Sequence, residues 1–315
     1  MIRHASGVAD CLAATDLCWH IECDDVLQFL RSLPPQSVDL IFGSPPYETR
    51  RPYSVGFNLK GEAWVAWMVE VFHASLQACR GLVAYVVEGM TEGYRYSAVP
   101  ALLMADLHRN GVCLRKPPAF YRRGIPGSGG PDWWRNDYEW IICATNGGRL
   151  PWSDNTACGH QPRWAPGGQP SHRTQDGSRV NSSCKDGTDS QSGRRSNLYV
   201  PPRLANPGNV LDGDDGSNLI RCLVGGGHMG SKLAHDSQAP FPESLVLPFV
   251  LSYCPPGGVC VDPFAGSSTT GAVAAMNARK YLGCDIDPKQ VQLGELRMTE
   301  AEERMLTNAS RSNSG

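Results

Sequence analysis

The chain has 315 residues, 41% of them hydrophobic and 19% charged, and 29 lysines and arginines stand against 31 acidic residues for a formal charge of -2. This supplies apolar material for a sizeable core and excludes both a wholly disordered chain and a uniformly basic one. Any affinity for nucleic acid must then come from a local patch.

The first strand signal is His20, Ile21, Glu22 and Cys23, ending at Asp24 and Asp25, so residues 1–19 read as an N-terminal extension. Val26, Leu27, Leu30 and Leu33 recur at helical spacing up to Pro34, and Val38 to Phe42 is a buried strand. Trp64, Trp67, Met68, Val71, Phe72 and Leu76 follow the i, i+3, i+4, i+7 pattern of a helix, and Leu82 to Val87 is an apolar strand after Gly81. Ser97 is expected to cap a helix running through Leu107 and ended by Gly111, and Tyr138 to Ala144 is strand-like. Beyond a long interruption, Val259 to Val261 form a strand leading through a small-residue turn into a helix over about Thr270 to Asn277. Tyr281 to Ile286 is the next strand, and Pro288 opens the next helix. Strands alternating with helices predict a doubly wound, mostly parallel α/β sheet covered on both faces. Residues 308–315 read as a disordered tail.

The interruption differs in character. Gly147 to Gly230 holds 22 of the 58 glycines and prolines in 84 residues and few periodic apolar runs, so residues 148–230 are predicted to be a loop-rich insert between core halves at 20–147 and 231–307. From Arg149 to Arg203, eight basic residues face four aspartates, a local surplus of +4. No apolar run reaches the roughly 18 residues that cross a bilayer, and the first residues lack an apolar core of secretory length. The twelve cysteines are therefore expected as free thiols in a reducing compartment. With no Cys-x-x-Cys spacing, and with Cys158 and His160 lacking companions, no metal centre is expected.

Ligands of a parallel sheet bind beyond the carboxyl ends of its strands, which singles out two turns. Ser44-Pro45-Pro46-Tyr47 follows the strand Val38 to Phe42, and tandem proline gives a stiff turn whose carbonyls can point at a ligand. Asp262-Pro263-Phe264-Ala265-Gly266-Ser267-Ser268-Thr269-Thr270-Gly271 joins a strand to a helix through small residues that let a ligand approach the backbone. It has neither the Walker A spacing nor the Gly-x-Gly-x-x-Gly pyrophosphate turn. Asp285, nineteen positions after Gly266 at the end of the next strand, stands where a carboxylate accepts ribose hydroxyls, or else caps the helix near Pro288.

Taken together, Ser37 to Tyr47, Ala239-Pro240-Phe241-Pro242-Glu243, Asp262 to Thr270 and Gly283 to Pro288 resemble the amino-methylating DNA methyltransferases that use S-adenosylmethionine, in the permuted order with the catalytic strand first and the cofactor loop last. The resemblance covers residues 20–147 and 235–297. It implies that Ser44, Pro45, Pro46 and Tyr47 form the catalytic turn, and that Asp25, Phe241, Asp262, Phe264, Gly266, Ser268, Thr269 and Asp285 bind the cofactor. Asp285 would hold the ribose, Asp25 lie near the adenine, and Phe241, Phe264, Gly266 and Ser268 lie by the methionine moiety. Ser268 departs from the family, which usually has glycine there. Phe120 to Arg123 and Asn136 to Glu139 resemble only loosely the strands that flank a flipped base. The family also implies a cytoplasmic enzyme acting on DNA, of the kind met in restriction-modification, while the sequence leaves monomer and homodimer, and an accompanying nuclease, open.

The chemistry of the residues agrees. An exocyclic amine on a base is a poor nucleophile, and Ser44 Oγ with the Pro45 carbonyl can accept its two N–H groups so that the lone pair is directed for in-line transfer. Tyr47 can stack on a base extruded from the duplex. Arg163, Arg173, Arg179, Lys185, Arg194 and Arg195 of the insert are expected to neutralise phosphates, while Trp133, Trp134 and Trp152 either pack the insert on the core or wedge bases apart. Within the family that the sequence resembles, serine at the head of the turn leans toward cytosine N4, with adenine N6 as the alternative. A DNA-binding protein that keeps the fold without catalysis is the reading from another class.

Overall fold

The computed structural model describes residues 2–48, 56–122, 129–160, 171–173, 176–181, 204, 206, 208, 210–211, 229–236 and 240–312. In chain order the first half comprises β1 (Ile2–His4), α1 (Val8–Ala13), β2 (Leu17–Cys23), α2 (Val26–Ser32), β3 (Val38–Gly43), α3 (Gly61–Ala78), β4 (Cys79–Val87), β5 (Thr91–Glu92), β6 (Arg95–Tyr96) and α4 (Val99–Arg109). There follow β7 (Cys113–Arg115), β8 (Ala119–Tyr121), β9 (Tyr138–Thr145), β10 (Ser171–Arg173), β11 (Arg179–Asn181) and β12 (Val210–Leu211). The last part holds a 3-10 turn (Lys232–Asp236), α5 (Glu243–Tyr253), β13 (Val259–Asp262), α6 (Thr269–Met276), β14 (Lys280–Asp285) and α7 (Pro288–Ser312).

The main sheet runs β1-β2-β14-β13-β3-β4-β9-β8-β12, with β7 also on β9. From β1 to β4 every pairing is parallel, and β9 is antiparallel to β4, β7 and β8. Helices cover both faces. Phe29 and Leu30 of α2, Trp64, Met68 and Phe72 of α3 and Leu103 of α4 pack on Ile41, Val83 and Tyr85. Leu245 and Phe249 of α5, Val273 of α6 and Met298 of α7 pack on the other side against Leu40, Phe42 and Leu82. Alternate residues of β3 and β4 thus serve opposite cores, which is why those strands read as unbroken apolar runs. The doubly wound sheet is as the sequence predicts.

Local details depart from the expectations. Residues 2–4 pair with Leu17 to Trp19, so the N-terminal stretch belongs to the sheet as a β-α-β unit. Cys11 and Cys18 are joined as a disulfide between α1 and β2, against the expectation that all cysteines are free. Ser97 does not cap α4, because Ala98 occupies that position and the Ser97 N–H is bound to the Met90 carbonyl at 2.6 Å. Gly111, at φ +77°, does close the helix. The expected tail continues α7 in helix to Ser312. In the insert, β10 and β11 form an antiparallel ribbon, and β12 returns to lengthen the main sheet beside β8.

Asp39 shows how a charge is accommodated in a buried strand. Its Oδ1 accepts from Arg80 Nε at 2.7 Å and its Oδ2 from the Val259 N–H at 2.9 Å, tying β3 to the start of β13. Gly81 of β4 lies directly against this point, and a Cβ there would stand 1.9 Å from the Asp39 carbonyl oxygen.

Candidate active site

The chain after β3 crosses to β4 on one side, while the chain after β13 crosses to β14 on the other. The topological switch point of the sheet therefore lies between β3 and β13, the place where open α/β sheets hold ligands. Both turns singled out from sequence leave the sheet there, side by side.

On the β3 side, the Ser44 hydroxyl donates toward the Val86 carbonyl at 3.4 Å and the Tyr47 hydroxyl at 3.3 Å. Its lone pairs remain for an incoming donor. The Pro46 carbonyl is taken by the Trp64 indole N–H at 2.8 Å, which pins the turn to α3, whereas the Pro45 carbonyl has no donor among the described residues. Tyr47 is half-buried and donates to Glu139 Oε2 at 3.0 Å. Burial, and then the Glu139 carboxylate, hold its phenol well above the usual range. Beyond it, Glu48 accepts from the Gly61 N–H and fixes the start of α3.

On the β13 side, Asp262 Oδ1 accepts from the Phe264 N–H at 3.0 Å and its Oδ2 from the Thr270 hydroxyl at 2.8 Å, so one carboxyl spans the loop. Burial pushes its pKa up to about 7. Asp285 Oδ2 accepts from the Gly266 N–H at 2.9 Å and its Oδ1 from the Asp287 N–H at 2.9 Å. Burial raises this carboxyl too. Phe264 rests edge-on against Trp67 and Tyr85, each at 5.8 Å, above one face of the sheet, and Phe241 lies edge-on to Phe42 at 6.0 Å above the other.

Residues 38–296 match the model of the N6/N4 DNA methylase family. The chain belongs to that family. Among similar proteins, the DNA adenine methyltransferase YhdJ of Escherichia coli (strain K12) is 26% identical over 288 residues, 88% of this chain and 81% of that protein. The type II methyltransferase M.PvuII of Proteus hauseri is 23% identical over 305 residues, 88% of this chain and 82% of its own. The solved cytosine-N4-specific PvuII DNA methyltransferase has the same fold, with a TM-score of 0.60 at 17% identity over 92% of this chain and 93% of that one. So does TTHA0409 of Thermus thermophilus, a candidate DNA modification methylase solved with S-adenosyl-L-methionine, at a TM-score of 0.52 and 19% identity over 95% of each chain.

In this methylase the residues singled out from sequence divide by accessibility. Ser44, Phe264, Gly266, Asp285, Asp25 and Phe241 keep accessible surface. Asp262, Ser268 and Thr269 are at most 2% exposed and turn inward beneath the loop. Ser268 has φ +54° and ψ +44°, the left-handed region that explains the family's glycine, and its hydroxyl accepts from Tyr281 at 3.4 Å instead of facing the crevice. Asp25 Oδ1 caps α2 by accepting from the N–H groups of Leu27 at 2.9 Å and Gln28 at 3.2 Å. Asp285 does not cap α7, a task that falls to Asp287, whose Oδ1 accepts from the Lys289 N–H at 3.0 Å.

Sequence reasoning missed Arg297. Its guanidinium, 1% exposed, donates to Thr269 Oγ1 at 2.9 Å, Ser267 Oγ at 3.3 Å, the Met229 carbonyl at 2.9 Å and Glu243 Oε1 at 3.1 Å. It locks the underside of the loop to α5 and α7. The signal lay in an arginine within the inward stripe of Val291, Met298 and Ala301. Gly294 lets α7 approach, since a Cβ there would stand 2.5 Å from Ser268 Oγ.

Of the basic residues expected on DNA, Arg173 and Arg179 are backbone register partners across β10 and β11. Arg163, Lys185, Arg194 and Arg195 lie outside the described residues. Trp134 is 95% exposed and packs nothing onto the core, whereas Trp133 stands edge-on to Tyr94 at 5.4 Å.

Proposed function

We propose that this methylase transfers a methyl group from S-adenosylmethionine to an exocyclic amino group in DNA, with cytosine N4 as the acceptor. The observation that carries the reading is the pairing of a Ser-Pro-Pro-Tyr turn after β3 with a small-residue loop after β13 across the switch point. Family membership supplies the reaction class.

The residues around the second loop fit the cofactor. Each Asp285 oxygen accepts one backbone N–H and has lone-pair capacity left for ribose hydroxyls. Gly266, at φ +48°, presents backbone without a side chain in the way, and half-buried Phe264 and Phe241 offer apolar surface on either side. Asp25, at the N-cap of α2 just beyond β2, is the proposed neighbour of the adenine. When bound, S-adenosylmethionine supplies a strongly electrophilic sulfonium methyl, so activation falls on the amine.

The amine's lone pair is delocalised into the base, and accepting its N–H groups opposes that delocalisation. Ser44 Oγ and the Pro45 carbonyl are the proposed acceptors. They draw the N–H groups to one side and leave the lone pair directed for in-line attack. Tyr47 offers a face on which the extruded base can stack. The basic insert is the proposed recognition element, its arginines neutralising phosphates and reading guanine edges.

Adenine N6 is the second reading, favoured by the similarity to an adenine methyltransferase over 288 residues. Digestion of treated DNA to nucleosides, with identification of the methylated base, decides between the two. A protein that binds DNA without producing a methylated base would be the non-catalytic alternative.

A further inference from the structure

Glu139 is 4% exposed and stands on β9, where the alternate positions facing the same core are the apolar Ile141 and Cys143. An apolar residue would fill that place without a buried charge. Two donors converge on the carboxylate. Arg122, just beyond β8, donates Nη1 to Oε1, and Tyr47 donates its hydroxyl to Oε2 at 3.0 Å. Ser44 Oγ then donates toward Tyr47 at 3.3 Å or the Val86 carbonyl at 3.4 Å. The four side chains form a line from a guanidinium to the catalytic turn.

We propose that Glu139 is a positioning residue for methyl transfer, acting through Tyr47 to fix the direction in which the Ser44 hydroxyl bonds. The inference rests on the amino-methyltransferase reading above. An ionised carboxylate only accepts, so the single hydrogen of the Tyr47 hydroxyl is committed to Glu139 and its lone pairs are turned to Ser44. Both neighbours of Ser44, the Tyr47 oxygen and the Val86 carbonyl, are then acceptors, and both draw its hydrogen away from the crevice. A hydroxyl that rotated freely would instead donate to the target nitrogen and occupy the lone pair that must attack. Held as it is, Ser44 presents only lone pairs to the amine. Arg122 supplies the charge that a buried carboxylate needs nearby.

The test uses the full-length protein, a DNA substrate and S-adenosylmethionine in single-turnover methyl transfer. Glu139→Gln, whose amide can donate back to Tyr47 and reverse the line, is expected to slow transfer about tenfold while leaving DNA and cofactor affinities within about twofold. Adding Glu139→Gln to Ser44→Ala should cost nothing further, because the hydroxyl it orients is gone. A loss that persists in full in the Ser44→Ala background, or an unchanged rate in Glu139→Gln, would overturn the proposal. Should Glu139→Gln fail to fold, Tyr47→Phe removes the relaying oxygen and keeps the ring, and the same absence of a further loss with Ser44→Ala is expected. A wild-type protein that methylates no DNA sinks the underlying reading, whereas an active wild type with additive losses sinks this proposal alone.

Discussion

Asp262 and Gly43 meet where β13 and β3 end side by side, and a Cβ on Gly43 would stand 2.5 Å from Asp262 Oδ1. The residue before the Ser-Pro-Pro-Tyr turn is thus a glycine because the carboxyl that braces the small-residue loop after β13 occupies its side-chain space. The two turns are built as one unit.

Asp262 also carries a pH signature. Burial raises its pKa to about 7 in the fold, above the ordinary carboxylate range it has when unfolded. The folded protein holds this proton more tightly, so the stability it contributes is fully present below the ordinary carboxylate range and is lost as pH rises through about 7. Asp262→Asn, a neutral replacement of similar shape, removes the titration. In urea titrations between pH 5 and pH 8, wild type should lose stability relative to this variant as pH rises. A constant difference would show that Asp262 does not titrate there.

Asp285→Ala removes the proposed ribose acceptor and the tie to Gly266. A charged acceptor contributes about 1.5 to 3 kcal/mol, so affinity for S-adenosylmethionine is expected to fall roughly ten- to a hundredfold in titration calorimetry. Wild-type affinity in the variant would refute the assignment.

The insert makes a different prediction, based on its local surplus of +4 in a chain of net charge -2. Neutralising Arg194 and Arg195 should reduce the slope of log affinity for DNA against log salt by about two if both touch phosphate, with cofactor affinity unchanged. An unaltered slope would place the phosphate contacts elsewhere.

Much of this architecture is legible in the sequence because its signals are local. The α3 stripe from Trp64 to Leu76 and the apolar run of β4 follow the periods of helix and strand. The Ser-Pro-Pro-Tyr turn is visible because two prolines follow a strand. β1 has only three residues and gains its identity from pairing with β2, so no period could reveal it. Ser268 and Thr269 look like loop residues available to a ligand, and only the packing of α7 through Gly294 and Arg297 shows them turned inward. Glu139 and Arg297 act on partners 92 and 54 positions away, a separation across which a single sequence carries no pairing signal.

Ser44→Ala should leave DNA and cofactor binding close to wild type while the methyl-transfer rate falls about tenfold to a thousandfold, since a contact that activates the amine matters most in the transition state. The Pro45 carbonyl remains, so residual activity is expected. An unchanged single-turnover rate would remove the hydroxyl from the account.

The most direct test of the central claim is nucleoside analysis of DNA incubated with the wild-type protein and S-adenosylmethionine. The account predicts N4-methylcytosine. N6-methyladenine alone would keep the amino-methyltransferase assignment and overturn the choice of base, whereas DNA with neither modified amine would contradict the claim itself.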